Sequence, residues 1–447
     1  MDAIVTPLSI QDDSLQQAGP PKLKVFTAKQ LNKIPQFLSL PTEAQLSVRA
    51  AAEVFPFRVN QYVIDELIDW NNWQADPMFR LLFPQKEMLS NEHLFALEKA
   101  TEAEDKKQIE ETVKKIRASL NPHPAGQMEL NVPRAEGEPL DGIQHKYKET
   151  VLFFPKQGQT CHSYCSFCFR WAQFIGDKSL QFAAKEALQL VDYLREHKEV
   201  TDVLITGGDP LVMKTKNLKA YVETIINAPG LEHIENIRIG TKALTFWPYR
   251  FVTDNDADEL MELFESVIAS GRQLALMAHY NHWKELDTDI AKQAIRRVRD
   301  TGAVIRSQGP LLRGINDDPE VWAKLWKEQT KLGITPYYMF VERDTGAQHY
   351  FEVPLVKAWE IYRQAISSVS GLSRTARGPS MSASPGKVEI QGVTTINNQK
   401  VLSLRFIQGR NPDWVQRPFY AEYDESATWL NHLKPAFGEK QFFFEAQ

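Results

Sequence analysis

The sequence has few cysteines, no long apolar run and little net charge, and each of these shortages excludes a class of protein. Three cysteines in 447 residues, an odd number, exclude a disulfide framework. No apolar run approaches the ~20 residues that a membrane helix needs. A net charge of -5 gives no indication of a nucleic-acid or membrane partner. The amino terminus lacks a basic stretch followed by an apolar one, so we expect a cytoplasmic protein.

The three cysteines, Cys161, Cys165 and Cys168, all lie in the short stretch from Thr160 to Arg170, TCHSYCSFCFR. Their C-x3-C-x2-C spacing on a loop lets three thiolates converge on one centre, and cysteine is the usual ligand of iron-sulfur clusters. A closed cluster normally takes four cysteines, so three of them leave one iron open to a substrate or cofactor. The sequence therefore predicts a 4Fe-4S cluster with an open iron.

A zinc site is the main alternative for these thiols, with His162 as the fourth ligand. The adjacent Cys161 and His162 would crowd one tetrahedron, and structural zinc ligands usually come in two separated pairs. Inert buried cysteines are the other alternative, but such cysteines would be scattered through the core instead of confined to one loop. The clustering favours an iron-sulfur site over both.

Four regions follow one another along the chain. Residues 1–27 are polar, which predicts a flexible arm. Apolar residues at helix spacing predict an amino-terminal helical domain over 28–143. Short apolar strands then alternate with amphipathic helices over 144–370. We predict that 371–447 forms a carboxyl-terminal cap, which begins with a Gly/Ser/Pro segment and continues with two short strands and an aromatic tail.

Six strand-helix units make up the region 144–370, and they indicate a parallel α/β architecture with right-handed connections. The strands are predicted at VLFFP, DVLITG, NIRIGT, LALMAHY, AVIRSQG and PYYMFV. The cysteine stretch follows the first strand, and a TGGDP turn ends the second. Both therefore lie at the carboxyl ends of strands, where parallel α/β folds place their active sites. The pattern alone does not separate an open sheet from a barrel.

The GGDP turn has chemistry of its own. Its paired glycines, Gly207 and Gly208, let the backbone approach a ligand closely, and Asp209 at a strand end can receive an ammonium group. By itself this turn equally suits a plain strand-to-helix connection. Together with the C-x3-C-x2-C loop it resembles the motifs of the radical S-adenosylmethionine (SAM) enzymes, in which the open iron chelates SAM and the second motif holds the SAM amino group. The resemblance implies a partial (β/α)6 barrel and cleavage of SAM to a 5'-deoxyadenosyl radical.

A closer resemblance, to the lysine 2,3-aminomutase family, spans the chain from about Ala28 to about Gly409. It is carried, in this order, by HKYKETVLFFP, CSFCFRW, LITGGDPL, RIGTKALTFWPYR, HYNH, QGPLLRGIND, PYYMF and PGKVEI. In those enzymes pyridoxal 5'-phosphate (PLP) forms an aldimine with the substrate, and the adenosyl radical abstracts a β-hydrogen so that the amino group migrates from carbon 2 to carbon 3. The resemblance implies an isomerase of this kind, which makes a β-amino acid from an α-amino acid.

The resemblance also implies roles for single residues. Lys387 ends an SPGK loop and matches the family lysine that binds PLP, although the loop is shorter and poorer in glycine. Arg170 matches the arginine that pairs with the substrate carboxylate, a task that suits a planar guanidinium. Gln308 matches a glutamine of the PLP site, and Lys146 matches an arginine that binds the PLP phosphate. A second arginine of that site is replaced by Thr150, so we expect the phosphate to be bound more weakly or differently.

The pocket for the substrate side chain departs from the lysine-specific members. Those members place two aspartates against the substrate ε-ammonium. This chain has Arg343 at one of the two positions, and Ser380, Met381 and Ser382 around the other. A cation in a poorly solvated pocket disfavours an ammonium group and favours a carboxylate. An acidic or neutral amino acid is therefore favoured over lysine, unless a one-residue shift brings Asp344 inward.

Two further expectations concern a metal and a set of histidines. Some family members carry a cysteine-bound zinc at a subunit interface, but the aligned residue here is Asp318, so we expect that zinc to be absent. His279, Asn281 and His282 follow a predicted strand, and they either line the cofactor pocket or are satisfied within the core.

The resemblance implies a reduced flavodoxin or ferredoxin as electron donor, an amino acid as substrate and a homodimer or higher homo-oligomer. No nucleic-acid or membrane partner is expected. Two alternatives for the function stay open. The chain could be a radical SAM enzyme whose reaction does not use PLP, or a non-catalytic iron-sulfur protein that senses redox state or binds a partner. A sensor would not cleave SAM, so SAM cleavage separates the last alternative from the other two.

Overall fold

A computed structural model describes residues 20–103, 105–122, 131–177, 181–184 and 187–445. Most of the predicted arm, 1–27, lies outside the described residues. Its last residues, Val25–Thr27, form a strand instead, because Phe26 is buried in the amino-terminal region. No helix in the described ranges is long and apolar enough to cross a membrane.

The described residues contain fifteen strands. They are β1 Val25–Thr27, β2 Arg58–Asn60, β3 Arg134–Ala135, β4 Glu138–Pro139, β5 Ile143–Tyr147, β6 Thr150–Phe153, β7 Asp202–Ile205, β8 Asn236–Thr241, β9 Gln273–His279, β10 Val304–Leu311, β11 Thr335–Val341, β12 Arg377–Ser382, β13 Gly386–Ile396, β14 Gln399–Gly409 and β15 Pro418–Glu422.

Eleven of these strands, β5 to β15, form one sheet in which each strand pairs with the next strand of the chain. Strands β6 to β12 run parallel. Strand β5 is antiparallel to β6, and β12 to β15 pair antiparallel to one another. The six predicted strands are β6 to β11, and they have the predicted parallel arrangement.

A longer helix precedes each of the parallel strands β7 to β12, as right-handed crossovers require. The α-helices are Pro35–Leu38, Thr42–Val54, Pro77–Leu82, Asn91–Glu102, Lys106–Ser119, Leu188–Glu196, Thr215–Ile226, Ala243–Phe246, Ala257–Ala269, Asp289–Asp300, Pro319–Lys331, Gln348–Phe351 and Leu355–Ser367. The short 3-10 helices are Ala28–Lys33, Trp70–Asn72, Lys86–Met88, Lys156–Gly158, Trp171–Phe174, Pro210–Val212, Pro248–Phe251, Trp283–Leu286, Gly371–Ser373, Pro412–Trp414 and Leu430–His432, and Val63–Leu67 is a π-helical turn. Asp318 caps the helix Pro319–Lys331, because its side chain accepts a hydrogen bond from Glu320 N at 2.8 Å.

The two faces of the parallel strands differ in polarity. One face is apolar, and Val203 of β7 and Ile237 of β8 are fully buried there in the largest hydrophobic cluster, together with side chains of the surrounding helices. The residues next to them in the same strands, Asp202 and Arg238, form an ion pair at 2.6 Å on the other face. Successive residues of a strand point to opposite faces, so the inner face is polar.

The sheet curls into a partial barrel. Lys146, in β5, donates from Nζ to the carbonyl of Ala383, just after β12, at 2.6 Å. These two residues belong to strands at opposite ends of the run β5 to β12, so the sheet must bend round for them to meet. No pairing joins β5 to β15 among the described strands, so the barrel stays open. The predicted fold class, α/β with a partial barrel, is confirmed.

The carboxyl-terminal region differs from the prediction in one respect. Part of the segment predicted as a Gly/Ser/Pro connection, Arg377–Ser382, forms β12, a seventh parallel strand. Strands β13 and β14 contain the two predicted short strands, and they extend the central sheet. A third hydrophobic cluster beneath β12 to β15 includes Met381, Leu404 and Phe419.

The amino-terminal region packs on the cysteine loop. A second hydrophobic cluster combines its aromatic side chains with Trp171, which follows the cysteines, and with Phe246. The rings of Phe55 and Trp171 meet edge to face at 5.8 Å. This region therefore covers the end of the barrel that carries the cysteines.

Hydrogen bonds of the Asn60 side chain connect the amino-terminal region to the cysteine loop. Its side chain is fully buried, and Nδ2 donates to the carbonyl of Phe246 at 2.7 Å, to the carbonyl of His162 at 3.3 Å and to Oγ of Ser163 at 3.1 Å. Its Oδ1 accepts from Val63 N at 3.0 Å. One amide thus joins three separate segments of the chain.

We expect Asn60→Ala to lower the free energy of unfolding by about 1–3 kcal/mol, because a buried N–H and buried carbonyls would lose their partner. Chemical denaturation of the purified protein measures this change. Asn72→Ala removes an exposed asparagine side chain of the same region and is the matched control. Equal free energies of unfolding for the two variants would contradict this account of Asn60.

Candidate active site

The cysteine loop runs from β6 to the short helix Trp171–Phe174. Its backbone is held from outside the barrel, because Tyr164 N donates to the carbonyl of Arg58 and Ser166 N donates to the carbonyl of Leu81, each at 2.8 Å. The amino-terminal region therefore sets the path of the loop through hydrogen bonds to its backbone.

The three cysteines are free thiols, and each is partly exposed. Burial raises the pKa of Cys168 to about 11, so metal binding must displace its proton. The ring of His162 is buried, and burial together with Arg250 lowers its pKa to about 3. No group of three or more His, Cys, Asp or Glu side chains in the described ranges is arranged for a single metal ion. This finding covers the three cysteines as well as His162.

The GGDP turn lies directly against the start of the cysteine loop. Gly208 N and Asp209 N both donate to the carbonyl of Gly158 at 3.1 Å, and Asp209 N also donates to the carbonyl of Thr160 at 2.7 Å. A Cβ atom on Gly208 would lie 2.4 to 2.6 Å from backbone atoms of Thr160. Gly207 has a φ of +146°, a conformation that favours glycine. Because the two glycines have no side chains, the backbone of the GGDP turn contacts the backbone of the cysteine loop directly. The turn and the loop therefore form one structural unit.

Asp209 is buried, and its carboxylate binds protein groups. Thr241 Oγ1 donates to both carboxylate oxygens at 2.8 and 2.9 Å, and Leu211 N and Lys242 N donate at 2.9 and 2.8 Å. Burial raises the pKa of Asp209 to about 6, although these hydrogen bonds lower it. The carboxylate ties the end of β7 to the end of β8, so Asp209 holds the turn in shape.

Lys387 lies near the start of β13 and points among aromatic rings. Its Nζ donates to Oε1 of Gln408 at 2.9 Å and lies 4.3 Å from the centre of the Tyr338 ring. Burial lowers the pKa of Lys387 to about 7. Three nearby cations lower this pKa further: Arg377, Arg238 and Lys146. Near neutral pH a large fraction of this amine is therefore uncharged, and an uncharged amine is nucleophilic.

Arg170, Arg343 and Lys146 are three cations on the inner side of the site. Burial lowers the pKa of Arg170 to about 10, and Arg343 lowers it further. Burial also lowers the pKa of Lys146 to about 7, and Arg343 again adds to the effect. Within the described part of the chain, Nε of Arg170 and Nε of Arg343 are buried without a hydrogen-bond partner. These cations are therefore close enough to interact, and they suit an anionic ligand.

Gln308 belongs to the same inner face as Lys387. It lies opposite Tyr338 in β11 and opposite His279 in β9, and paired residues of parallel strands point to the same face. The His279 ring stacks on Phe167 of the cysteine loop at a centroid distance of 5.6 Å. His279 thus lies between the cysteine loop and the barrel interior.

Asn281 and His282 hold the loop after β9. Oδ1 of Asn281 accepts from Nζ of Lys242 at 3.0 Å, and Lys242 also pairs with the fully buried Glu285. Nδ1 of His282 accepts from Lys284 N at 3.2 Å. Lys242 and Glu285 were not predicted as site residues from the sequence. The only signal for them is that each follows shortly after a buried strand.

Comparison with known proteins identifies the family. The model of the radical SAM superfamily matches residues 157–325. A putative L-lysine 2,3-aminomutase of Aquifex aeolicus is 32% identical over 355 residues, which are 79% of this chain and 82% of that protein. This chain belongs to the lysine 2,3-aminomutase family. The L-lysine 2,3-aminomutase of Methanococcus maripaludis is 27% identical over 77% of this chain and 69% of that protein. A solved structure of Streptococcus suis SuiB bound to S-adenosylmethionine aligns with 58% of this chain and 49% of that chain, at 14% identity and a TM-score of 0.35.

Membership of the radical SAM superfamily implies a 4Fe-4S cluster and SAM. The donor set of this chain fits both groups. All its cysteines are free thiols on one loop, and three thiolates leave one iron of the cluster for SAM. Membership of the lysine 2,3-aminomutase family thus identifies the general type of site. The contacts described above position the residues at this end of the barrel.

We expect Gly208→Ala to prevent cluster assembly and to destabilise the protein by about 1–3 kcal/mol, because the added Cβ would push the Thr160 backbone and the cysteine loop away. Iron and sulfide content after anaerobic reconstitution, together with chemical denaturation, measures both effects. Gly371→Ala is the matched control, since a Cβ there meets nothing within 4 Å. Equal iron content in the two variants would show that the loop tolerates the change.

Proposed function

We propose that this protein is a radical SAM, PLP-dependent 2,3-aminomutase, which moves the amino group of an α-amino acid from carbon 2 to carbon 3. We further propose that its substrate is an acidic or neutral amino acid and not lysine. The observation that carries the PLP part is Lys387, a half-buried amine on the inner face of the barrel that contacts Gln408 and the Tyr338 ring and whose pKa is lowered to about 7. Structural lysines are mostly exposed and charged, whereas an amine that bonds to PLP must lose its proton.

Cys161, Cys165 and Cys168 would hold the cluster. Gly207 and Gly208 carry no side chain and would leave room for SAM beside the cluster. The hydrogen bonds of Asp209 would hold the turn in shape. The cluster and SAM, when bound, supply the adenosyl radical that abstracts hydrogen from the substrate. His279, which stacks on the cysteine loop, contributes to the wall between this centre and the barrel interior.

Lys387 would bind PLP, and the inner face of the barrel fits the other groups of this cofactor. Lys146 provides a cation for the phosphate, and Gln308 provides an amide on the same face. PLP, when bound, would supply the extended π system that makes migration of the nitrogen possible. The protein's part is to hold the substrate amino group beside the adenosyl radical and to exclude water.

Two arginines favour an acidic substrate. Arg170 would pair with the α-carboxylate, and Arg343 lies near enough to lower its pKa. Burial raises the pKa of Glu342, next to Arg343, well above its usual value, which disfavours the anionic form that would attract a substrate ammonium. A second carboxylate on the substrate would find the half-buried guanidinium of Arg343, whose buried Nε has no hydrogen-bond partner, whereas the ε-ammonium of lysine would be repelled.

The test of the proposed function is product formation by anaerobically reconstituted protein with SAM, PLP and a strong reductant. Glutamate, alanine and lysine are supplied separately, and chromatography with mass spectrometry separates each β-amino acid from its isobaric α-isomer and detects 5'-deoxyadenosine. We expect a β-amino acid from an acidic or neutral substrate, and no β-amino acid with Lys387→Ala. Lys400→Ala, an exposed lysine of the same hairpin, is the matched control and should keep full activity.

The outcomes of this experiment separate the alternatives. Cleavage of SAM without rearrangement of any amino acid would favour a radical SAM reaction that does not use PLP. No cleavage of SAM under any condition would favour a non-catalytic iron-sulfur protein. β-Lysine as the main product would keep the aminomutase and refute the proposed substrate class.

The role of Arg343 is tested with Arg343→Gln. We expect the KM for the acidic amino acid to rise roughly 10- to 100-fold, the factor that one hydrogen bond to a charged group gives, with a smaller change in kcat. Steady-state kinetics with the best substrate measure both constants. Arg363→Gln changes an exposed arginine of the helix Leu355–Ser367 and serves as control. A KM that stays within twofold of the wild-type value would exclude a contact between Arg343 and the substrate carboxylate.

A further inference from the structure

Strands β13 and β14 pair irregularly beside Lys387. Lys387 lies opposite Gln408, whereas the next residue, Val388, lies opposite Phe406, so Ile407 has no partner in the ladder. A regular antiparallel ladder would place Ile407 opposite Lys387. The extra residue forms a β-bulge, and bulges redirect side chains. The bulge brings an amide, in place of an apolar side chain, to the position across from the lysine.

The amide of Gln408 contacts the lysine directly. Its Oε1 accepts from Nζ of Lys387 at 2.9 Å. The charged groups that act on this amine are all cations: Arg377, Arg238 and Lys146. A carboxylate at the position of Gln408 would raise the pKa of the amine, whereas a neutral amide oxygen binds the amine without this effect. Gln408 therefore fixes the position of Nζ and leaves the amine easy to deprotonate.

We propose that Gln408 is a positioning residue that holds the amine of Lys387 whenever this amine is not bonded to PLP. The inference rests on the proposed function, in which Lys387 binds PLP. An incoming amine replaces Lys387 at the carbonyl carbon of the cofactor, so that one carbon-nitrogen bond forms while the other breaks. Both hydrogens of the incoming NH2 group pass to the leaving nitrogen, which becomes the neutral amine of Lys387. Gln408 then receives the released amine and keeps it in place for the return exchange.

Displacement of Lys387 by a simple amine tests this role without the unknown substrate. Protein loaded with PLP, without SAM, is titrated with methylamine and then reduced with borohydride. Mass spectrometry of the digested protein gives the fraction of PLP fixed on Lys387. We expect Gln408→Leu to raise the methylamine concentration at half-displacement roughly 2- to 10-fold, because the released lysine loses one hydrogen bond.

Two further variants make the experiment specific. Gln391→Leu makes the same change on the same hairpin, at a side chain that accepts from Oγ of Ser403 at 3.5 Å, and should leave the midpoint unchanged. Gln408→Glu keeps an acceptor and adds a charge that favours protonation of the released amine by solvent, so its midpoint should equal the wild-type value or fall below it. This variant also reports on Gln408 if the leucine variant does not fold.

The outcomes distinguish this inference from the proposed function. Wild-type protein in which borohydride fixes no PLP on Lys387 would overturn both. PLP fixed on Lys387, with the same midpoint for the wild type, Gln408→Leu and Gln391→Leu, would overturn the role of Gln408 alone. A raised midpoint in Gln408→Leu that Gln408→Glu reverses would support it.

Discussion

The backbone of Thr160 passes so close to Gly208 that no side chain fits between them, and the rest of the site depends on this contact. The contact joins the start of the cysteine loop to the end of β7. On the other side of the loop, the amide of Asn60 binds the backbone of His162. The loop is therefore held between the strand ends and the amino-terminal region. Three thiols can bind one cluster only if their loop has a defined path, and these two contacts define it.

Cationic side chains on the inner face of the barrel favour an anionic ligand. Arg170 is buried, Arg343 and Lys146 are half-buried, and loss of solvent lowers the pKa of each. Buried cations are costly unless a ligand or a partner compensates for them. A ligand that brings a phosphate or a carboxylate removes part of this cost, so the loaded protein should be more stable than the empty one. The same electrostatics lower the pKa of Lys387, which links anion binding to the reactivity of the lysine.

Elements with a local signal could be predicted from the sequence, and elements defined by distant partners could not. The six strands β6 to β11 are short segments rich in apolar residues, and amphipathic helices separate them along the chain. The segment Arg377–Ser382 contains glycine, proline and two serines, and only its pairing with neighbouring strands makes it β12. Asn60 bonds residues that lie 102 to 186 positions away, and Gln408 reaches Lys387 through a bulge, so neither has a local signature. The chemical roles of the site residues remain predictions.

The strand order of the sheet affects the order in which parts of the barrel can fold during translation. Each strand from β6 to β15 pairs with the strand synthesised just before it, so the sheet can grow strand by strand as the chain leaves the ribosome. The hydrogen-bond partners of the cysteine-loop backbone, Arg58, Asn60, Leu81 and Asp209, all precede the second half of the barrel. Lys387 and Gln408 are translated much later. The half of the barrel that carries the cysteines can therefore take its shape before the half that carries Lys387 has been synthesised.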